Sequence, residues 1–254
     1  MMIRQRSLRF VLAGLLVLAA AAVAWALVGR PSPLAQRGPL GLFTSLPLYW
    51  GEDGAFADLL DPAAEPHWAR TLVEEQRELQ PLDVLTPQAL ARLKDLLLAQ
   101  PRALSPSENV ALDEWVRKGG RLLLFADPLL SEESHFPLGD RRRPQDVVLL
   151  SPILARWGLE LQLDETQPLG ERNAVLAGIS LPVNLPGRLS SVPTTPDAQS
   201  RCDLLARGIA ADCRIGKGRA LIIADAAVLD RHGAPNDARA SALSGLMTAA
   251  YSAD

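Results

Sequence analysis

Apolar and polar positions alternate in blocks through the middle of the chain. Asp95–Ala99 and Arg121–Ala126 are short and almost continuously apolar, as in strands that are buried on both faces of a sheet. Between them, Ser105-Pro106-Ser107-Glu108 is a capping box with proline in the first turn, and it predicts a helix that ends at Gly119-Gly120. A strand, a helix and a second strand at this spacing predict a βαβ unit, and therefore a parallel sheet.

The remaining elements follow from the same patterns and extend this alternation along the chain. We predict strands at Leu40–Leu46, Pro81–Leu85, Leu159–Leu163 and Arg219–Ala224, and helices over His67–Arg77, after Thr86-Pro87, from Ser151-Pro152 to Trp157-Gly158, and from Asn236 to Tyr251. Asn173–Val192 is interpreted as short strands at the rim of a sheet. The predicted fold class is α/β, with a Rossmann-like or flavodoxin-like, mostly parallel sheet that carries helices on both faces.

An uncharged segment near the N-terminus, Phe10–Val28, predicts one transmembrane helix. As a helix it would reach roughly 28 Å, close to the thickness of the hydrocarbon core of a bilayer. Arginines at positions 4, 6 and 9 precede it, and basic residues favour the cytoplasmic side. We therefore expect a single-pass protein of the inner or plasma membrane, with a cytoplasmic N-terminus and its body on the periplasmic or extracytoplasmic side.

This interpretation divides the chain into a basic cytoplasmic start at 1–9, a transmembrane helix at 10–28, a proline-containing linker at 29–38 and an exported α/β domain at 39–254. A cleaved signal peptide is the alternative for the apolar segment. Ala22-Val23-Ala24 and Ala24-Trp25-Ala26 both have the small-x-small pattern of a cleavage site. Both alternatives export the domain.

The charge of the chain argues against some partners. Its formal net charge is −3, and it is more negative without the arginines that flank the apolar segment. An acidic exported domain disfavours binding to nucleic acid, whose phosphates need a basic surface, and it disfavours binding to an anionic membrane surface. The basic cluster Arg141-Arg142-Arg143 is interpreted as the solvated tip of the long polar loop Leu129–Asp146, with binding of an anionic partner as the alternative.

The two cysteines, Cys202 and Cys213, are predicted to form a disulfide. Arg201–Ile215 has the pattern of two short strands around a turn at Arg207-Gly208, and that register places the cysteines opposite each other. Opposite residues of an antiparallel pair lie roughly 4.5–5.5 Å apart at Cα, within the reach of a disulfide. Two unpaired, half-buried thiols are the alternative, and zinc binding is disfavoured because no histidine lies at ligand spacing.

Sequence motifs of catalysis and cofactor binding are missing from the chain. It contains no G-x-S-x-G, no G-x-G-x-x-G, no G-x-x-x-x-G-K-[ST] and no H-E-x-x-H. Gly216-Lys217-Gly218 is interpreted as a turn, and His67, His135 and His232 as surface residues. We therefore expect no catalytic residue, no metal site and no cofactor.

Four polar residues at predicted strand ends are the candidate ligand-binding residues: Thr44, Ser45, Asp127 and Asp225. Ligands of open parallel sheets bind outside the carboxyl ends of the strands, where these residues lie. In one cleft, the two aspartates would bind a cation or work as acid and base. In the alternative interpretation, each aspartate caps its own turn through the backbone. The small-molecule ligand is unknown.

The segment Leu96–Pro128 resembles the exported domain of gliding-motility-type ABC transporter auxiliary proteins. The resemblance consists of a helix start, a helix, a Gly-Gly stop and a strand end. The matching residues of this chain are Leu104, Ser105, Glu108, Ala111, Leu112, Asp113, Gly119, Gly120, Asp127 and Pro128. Gly216–Asp225 is similar to the closing strand of that family, but Asp225-Ala226-Ala227-Val228 departs from its usual Asp-Ser-Asp-Phe. The fold also resembles class I glutamine amidotransferase-like domains, whose enzymes need a cysteine where this chain has Ala99-Gln100-Pro101.

The resemblance implies a non-catalytic, membrane-anchored accessory or binding subunit of an ABC-type transport system, with the permease and ATPase subunits as its partners. Two alternatives stay open. One is an exported sensor domain that binds a small molecule. The other is a degenerate amidotransferase-like hydrolase that would use an acid pair such as Asp127 and Asp225.

Overall fold

A computed structural model describes residues 38–50, 66–132, 134, 136–140, 142–194, 199–231 and 237–252. The predicted cytoplasmic start, the predicted transmembrane helix and all of the linker except Gly38 lie outside these residues, as do His135, Arg141, His232 and Asn236. No helix in the described ranges is long and apolar enough to cross a membrane. The membrane span at 10–28 therefore stays a prediction.

The described elements alternate between strands and helices, as the sequence pattern predicts. The strands are β1 (Leu40–Thr44), β2 (Leu79–Pro81), β3 (Asp95–Ala99), β4 (Arg121–Phe125), β5 (Leu159–Gln162), β6 (Arg172–Leu176), β7 (Ile179–Val183), β8 (Arg188–Ser191), β9 (Ser200–Leu205), β10 (Ala210–Ile215) and β11 (Gly218–Ile223). The helices are α1 (Trp68–Glu74), α2 (Pro87–Leu90), α3 (Pro106–Arg117), α4 (Ser151–Trp157) and α5 (Asp237–Tyr251).

In the described residues the central sheet has seven strands, in the order β2-β1-β3-β4-β11-β10-β9. The first five of these are parallel, and β10 and β9 continue the sheet as an antiparallel hairpin. The parallel part has the strand order 2-1-3-4-5 of flavodoxin-like folds. The predicted mostly parallel α/β sheet is therefore confirmed. The short strands predicted within Asn173–Val192 are also present, and they belong to two small antiparallel sheets, β5-β8 and β6-β7.

Helices cover both faces of the central sheet. Side chains alternate along each strand, so that Leu97 and Leu123 pack into one apolar core and Leu96 and Leu122 into the other. The first core includes side chains of α1 and α5, and the second includes side chains of α2, α3 and α4. Burial on both faces explains why β3 and β4 are continuous apolar runs in the sequence.

The strand predicted at Pro81–Leu85 is wrong in position. The observed strand β2 ends where the predicted one begins, because Leu79–Pro81 pairs with Leu40–Leu42 of β1. The amide of Leu82 donates a last hydrogen bond to the carbonyl of Leu42 at 2.8 Å, after which the chain turns towards the cap of α2 at Thr86. The strand lies at the edge of the sheet, where the missing N–H of Pro81 is tolerated.

The predicted helix starts are confirmed where the structure describes them. The Ser105 hydroxyl accepts from the amide of Glu108 at 3.3 Å, and the Glu108 carboxylate accepts from the amide of Ser105 at 2.9 Å. The surface setting expected for His67 is wrong, since this side chain is buried. Its Nδ1 accepts from the amide of Ala69 at 3.1 Å, so His67 is the N-cap of α1.

Two acidic residues of the resemblance motif hold neighbouring segments together. Glu108 accepts from the amide of Leu85 at 3.2 Å, in addition to its role in the capping box. Asp113 on α3 accepts from the indole of Trp157 at 2.9 Å and forms an ion pair with Arg156 at 2.6 Å, both on α4. These contacts give both motif residues a role in packing α3.

The disulfide predicted between Cys202 and Cys213 is present. The two residues face each other in the β9–β10 register, with 4.0 Å between their Cα atoms. The connection between the strands runs through Ala206–Gly208, which contains the predicted turn residues. The alternative of two unpaired thiols is therefore wrong.

Candidate functional site

The strand order of the central sheet reverses between β1 and β3. From this pair, the chain extends the sheet outwards to β2 on one side and to β4 and β11 on the other. In open α/β sheets, ligands bind outside the carboxyl ends of the strands at such a topological switch point. Here those ends are Thr44 of β1 and Ala99 of β3.

Thr44 and Ser45 form hydrogen bonds across this switch point. The Thr44 hydroxyl donates to the carbonyl of Ala99 at 2.8 Å. The Ser45 hydroxyl donates to the carbonyl of Gln100 and accepts from the amide of Gln145 at 2.9 Å. Both residues line a cleft at the strand ends, and these bonds hold their hydroxyl groups in place.

Gln100 follows β3 in a left-handed backbone conformation, with φ of 44°, and its side chain is fully buried. Its amide nitrogen donates to the carbonyls of Asp127 at 3.0 Å and Gln145 at 2.8 Å, and its amide oxygen accepts from the amide of Asp127 at 2.9 Å. A positive φ at a residue other than glycine costs on the order of 1–3 kcal/mol, and the three hydrogen bonds offset this cost. The side chain thus joins the ends of β3 and β4.

Asp127 and Asp225 are buried and bound to backbone amides. Asp127 accepts from the amides of Leu129 at 2.9 Å and Ala226 at 3.1 Å. Asp225 accepts from the amides of Ala227 at 2.7 Å and Asn184 at 2.8 Å. Each aspartate thus caps the turn that follows its own strand, as in the alternative interpretation, and each also binds a second segment. Neither residue lines the cleft that contains Thr44 and Ser45.

The two buried carboxyl groups interact electrostatically. Burial raises the pKa of Asp127 to about 6. Burial raises the pKa of Asp225 well above its ordinary value, and the nearby charge of Asp127 raises it further. Since two carboxylates in a poorly solvated place do not both ionise easily, the pair titrates as a unit.

The cleft at the switch point has a volume of about 540 Å³. Aromatic and basic side chains line it together with Thr44, Ser45 and the acidic Asp83: Phe43, Tyr49, Trp50, Arg102, Arg142 and Arg143. Trp50 is 55% exposed, and its ring contacts that of Tyr49 edge to face, with 4.8 Å between the centroids. An exposed aromatic edge beside guanidinium groups suits flat or anionic groups of a partner.

Arg102 is held in the cleft wall by a two-point ion pair. Its Nη1 and Nη2 donate to the two carboxylate oxygens of Glu108 at 3.0 and 2.8 Å. Hydrogen bonding from Arg102 lowers the pKa of Glu108 to about 2 and raises the pKa of Arg102 itself. The guanidinium lies 4.9 Å from the centre of the Phe43 ring. The charge of Arg102 is therefore fixed in place but largely balanced.

The described part of the arginine cluster also has partners inside its own loop. Arg142 pairs with Asp140 at 2.7 Å, and Arg143 pairs with Asp146 at 2.8 Å. Arg143 also donates to the carbonyl of Phe136 at 2.8 Å. Arg143 therefore holds parts of the loop together. The interpretation of the cluster as a solvated tip does not include this role.

The structure divides the candidate residues into two groups and adds others. Thr44 and Ser45 line the cleft, whereas Asp127 and Asp225 lie buried outside its lining. Sequence reasoning missed Gln100 and Arg102, although a polar residue after an apolar strand and before Pro101 was a signal for a strand-end position. Within the described ranges, no three His, Cys, Asp or Glu side chains are grouped so that they could hold a metal ion.

Comparison with known proteins shows the fold alone. No protein-family model matches the sequence, and no curated protein sequence matches it. The N-terminal domain of mmIFT52 is 13% identical, with a TM-score of 0.52, over 85% of this chain and 98% of that domain. The exo-beta-1,4-mannosidase Op5Man5 from Opitutaceae bacterium strain TAV5 is 12% identical, with a TM-score of 0.51, over 87% of this chain and 37% of the mannosidase. This chain is therefore similar in fold to a complete domain of the first protein and to a minor part of the second.

Proposed function

We propose that this protein is a non-catalytic binding subunit, exported and tethered to the membrane by residues 10–28, that accompanies an ABC-type transporter. The environment of Gln100 is the observation that supports a non-catalytic role. At the strand end where amidotransferase-like enzymes need a nucleophile, this side chain is buried and makes three hydrogen bonds to backbone groups. A side chain bound in this way holds strands together and offers no attacking atom.

The strand-end aspartates support the same conclusion. A general acid or base must reach the proton that it transfers. Asp127 and Asp225 are each 1% exposed, and both oxygens of each carboxylate accept from backbone amides. Both carboxyl groups therefore bind backbone groups of the protein itself, which disfavours the hydrolase alternative.

The transporter as partner rests on the resemblance of Leu96–Pro128 to the ABC auxiliary family. The cleft at the switch point is the surface that we assign to the contact. It combines the exposed ring of Trp50 with the partly exposed Tyr49 and with guanidinium groups, and Trp, Tyr and Arg are the residues that carry most binding energy in protein interfaces.

Co-purification tests this proposal. The full chain, tagged and solubilised from its own membranes in a mild detergent, should be recovered together with an ATPase and a permease subunit. Trp50→Ala should weaken this complex about 30-fold in Kd, as expected for an interface tryptophan that contributes about 2 kcal/mol. Leu169→Ala is the matched control, because Leu169 is 85% exposed and lies outside the cleft.

Recovery of the intact protein alone would contradict the transporter partner. Equal recovery of the partners with Trp50→Ala and with wild type would keep the partner but would contradict the cleft as the contact. The second result would move the interface elsewhere on the domain.

A small-molecule sensor is the second candidate function, and the size of the cleft favours it. Ligand pockets commonly enclose about 300–1,000 Å³, and the cleft of about 540 Å³ falls in this range. The exposed aromatic ring fits flat aromatic probes. Indole and indole-3-acetate are compared as a neutral and an anionic probe, because the guanidinium groups of the lining already pair with carboxylates.

We expect such a probe to raise the Tm of the wild-type protein and of Leu169→Ala, but not that of Trp50→Ala. At a concentration about 100 times Kd, the rise should be roughly 5–10 °C. No shift with either aromatic probe, or the same shift in both variants, would contradict ligand binding in this cleft.

A further inference from the structure

A second and larger pocket lies at the opposite edge of the central sheet, at the amino ends of its parallel strands. Its volume is about 720 Å³. The register pairs Asp95, Arg121 and Arg219, so that β3, β4 and β11 begin side by side. The pocket is bounded by residues that precede or begin these strands, together with parts of α2 and α3.

The lining of this pocket is strongly basic, although the chain as a whole is acidic. Among the residues that the structure describes, six basic side chains line it and one carboxylate does, that of Glu114. The basic residues are Lys94, Lys118, Arg121, Arg214, Lys217 and Arg219. Lys94, Lys118 and Lys217 are all the lysines that the sequence contains. Since the net charge of the chain is −3, this concentration of positive charge creates a local potential for anions.

Some of these cations are already balanced, and others are not. Arg121 pairs with Asp95 at 2.6 Å, Arg219 with Asp212 at 2.6 Å, and Lys118 with Glu114 at 3.0 Å. Across the residues that the structure describes, Lys94 and Lys217 have no carboxylate partner, and both are exposed. Two ammonium groups are therefore available to an anion at the pocket mouth.

The backbone that carries Lys217 is tightly fixed against α3. The amide of Lys217 donates to the carbonyl of Arg117 at 3.0 Å. A Cβ atom at Gly218 would lie 1.9 Å from the carbonyl oxygen of Val116, so only glycine permits this approach. The turn Gly216-Lys217-Gly218, which carries no function in the sequence analysis, thus fixes the backbone from which the flexible side chain of Lys217 extends.

The buried part of the lining, which forms the floor of the pocket, is apolar, whereas the basic side chains are more exposed. Leu90, Leu93, Ala111 and Trp115 contribute to it. The indole of Trp115 donates to the carbonyl of Leu93 at 3.0 Å, which keeps the ring in its place. An apolar floor below cationic groups suits an amphiphile whose charged end is an anion.

The chain enters the described domain at the same edge. Gly38 precedes β1, and Leu40 at the start of β1 pairs with Asp95 at the start of β3. The guanidinium of Arg77 donates to the carbonyl of Gly38 at 3.0 Å, so this entry point is fixed. The predicted linker at 29–38 has ten residues and reaches at most about 35 Å when extended. Under the proposed function, the membrane anchor is therefore joined to the domain at the edge that carries the pocket.

We propose that this pocket binds a phosphate-bearing anion, and that the ligand is the headgroup of an anionic phospholipid. Lys94 and Lys217 bind the phosphate, and the apolar floor covers the first part of the acyl chains. Basic side chains close to a membrane surface attract anionic lipid headgroups electrostatically. The choice of a lipid rests on the membrane tether of the proposed function, whereas binding of a phosphate group does not.

Thermal shift of the full chain in a neutral detergent tests the proposal. The probes are short-chain dihexanoyl phosphatidylglycerol, its phosphatidylcholine counterpart, inorganic phosphate and a hexaglutamate peptide. We expect phosphatidylglycerol to raise Tm by roughly 5–10 °C at a concentration about 100 times Kd. The double variant Lys94→Gln with Lys217→Gln should lose most of this rise.

The matched control is the double variant Arg188→Gln with Arg207→Gln, which removes two exposed positive charges away from the pocket lining. It should keep the full rise in Tm. An equal rise with inorganic phosphate would support the phosphate site but assign it to a soluble ligand. A larger rise with hexaglutamate, an equal rise with phosphatidylcholine, or an unchanged response of the lysine variant would overturn the proposal. None of these results depends on whether transporter subunits co-purify.

Discussion

Asp95→Ala is expected to lower the free energy of unfolding by about 3–5 kcal/mol, the range for breaking a buried ion pair by removing one partner. Asp95 begins β3 and is completely buried. Its carboxylate lies 2.8 Å from Nη1 of Arg77, and neither side chain is exposed. Its other oxygen accepts from Nε of Arg121 at 2.6 Å. The alanine variant would leave the charge of Arg77 without this carboxylate in a place that water does not reach.

The size of this effect follows from the segments that meet at Asp95. Arg77 also donates to the carbonyl of Gly38, and Arg121 donates to the carbonyl of Tyr251 at 2.7 Å. The entry of the chain, the start of the sheet and the end of α5 therefore share one cluster of charges. If one of these segments becomes disordered, the charged side chains of the other segments are exposed or displaced. The loss of stability is therefore larger than that of a single contact.

Urea unfolding followed by circular dichroism measures this loss. Glu74→Ala is the matched control, because it removes a carboxylate from an exposed ion pair with Arg70, at 2.9 Å. That pair is expected to contribute less than about 1 kcal/mol. If Asp95→Ala cost no more than Glu74→Ala, the cluster would not hold these segments together.

The second large effect concerns pH. Asp127→Asn is expected to remove most of a loss of stability of about 2.5 kcal/mol that the wild-type protein undergoes as pH rises from about 4 to 8. Burial raises the pKa of Asp127 to about 6, above its ordinary value of 3.8. The folded protein therefore binds more protons than the unfolded chain between these values, and its stability falls as pH rises through this window.

About half of this loss falls between pH 5 and pH 8, so urea unfolding at these two values measures it. The wild type should lose roughly 1.5 kcal/mol more than Asp127→Asn between the two pH values. Asp203→Asn is the control, because the side chain of Asp203 is 70% exposed, and it should show the same pH dependence as wild type. The difference in stability between the wild type and Asp127→Asn should therefore depend on pH. If this difference were the same at pH 8 as at pH 5, the raised pKa of Asp127 would be contradicted.

The asparagine variant also loses one acceptor for the amides of Leu129 or Ala226, which lowers its stability at every pH. The comparison across pH separates this constant cost from the titration. The pH dependence of Asp225 should decrease in the same variant, since the charge of Asp127 contributes to the raised pKa of Asp225.

Several elements were predictable from local sequence because local chemistry forms them. The capping box at Ser105 and Glu108 and the proline-led helices depend on neighbours within a few residues. The strands β3 and β4 pair with distant strands, but their continuous apolar runs mark them in the sequence. The disulfide belongs to this class as well, since the β9–β10 hairpin sets its register over a short loop. The alternation of strands and helices along the chain then predicts the parallel α/β sheet, because short helical crossovers between buried strands permit few other folds.

Contacts between distant segments determined the rest. The strand β2 lies at Leu79–Pro81 because it pairs with β1, across a long intervening segment. The burial of Asp95, Asp127 and Asp225 depends on packing that brings together segments far apart in the chain. The same holds for the three lysines, which the sequence separates and the fold collects around one pocket. Periodicity reports which face of an element is apolar, whereas side-chain burial, charge pairing and pockets arise only when those faces meet in three dimensions.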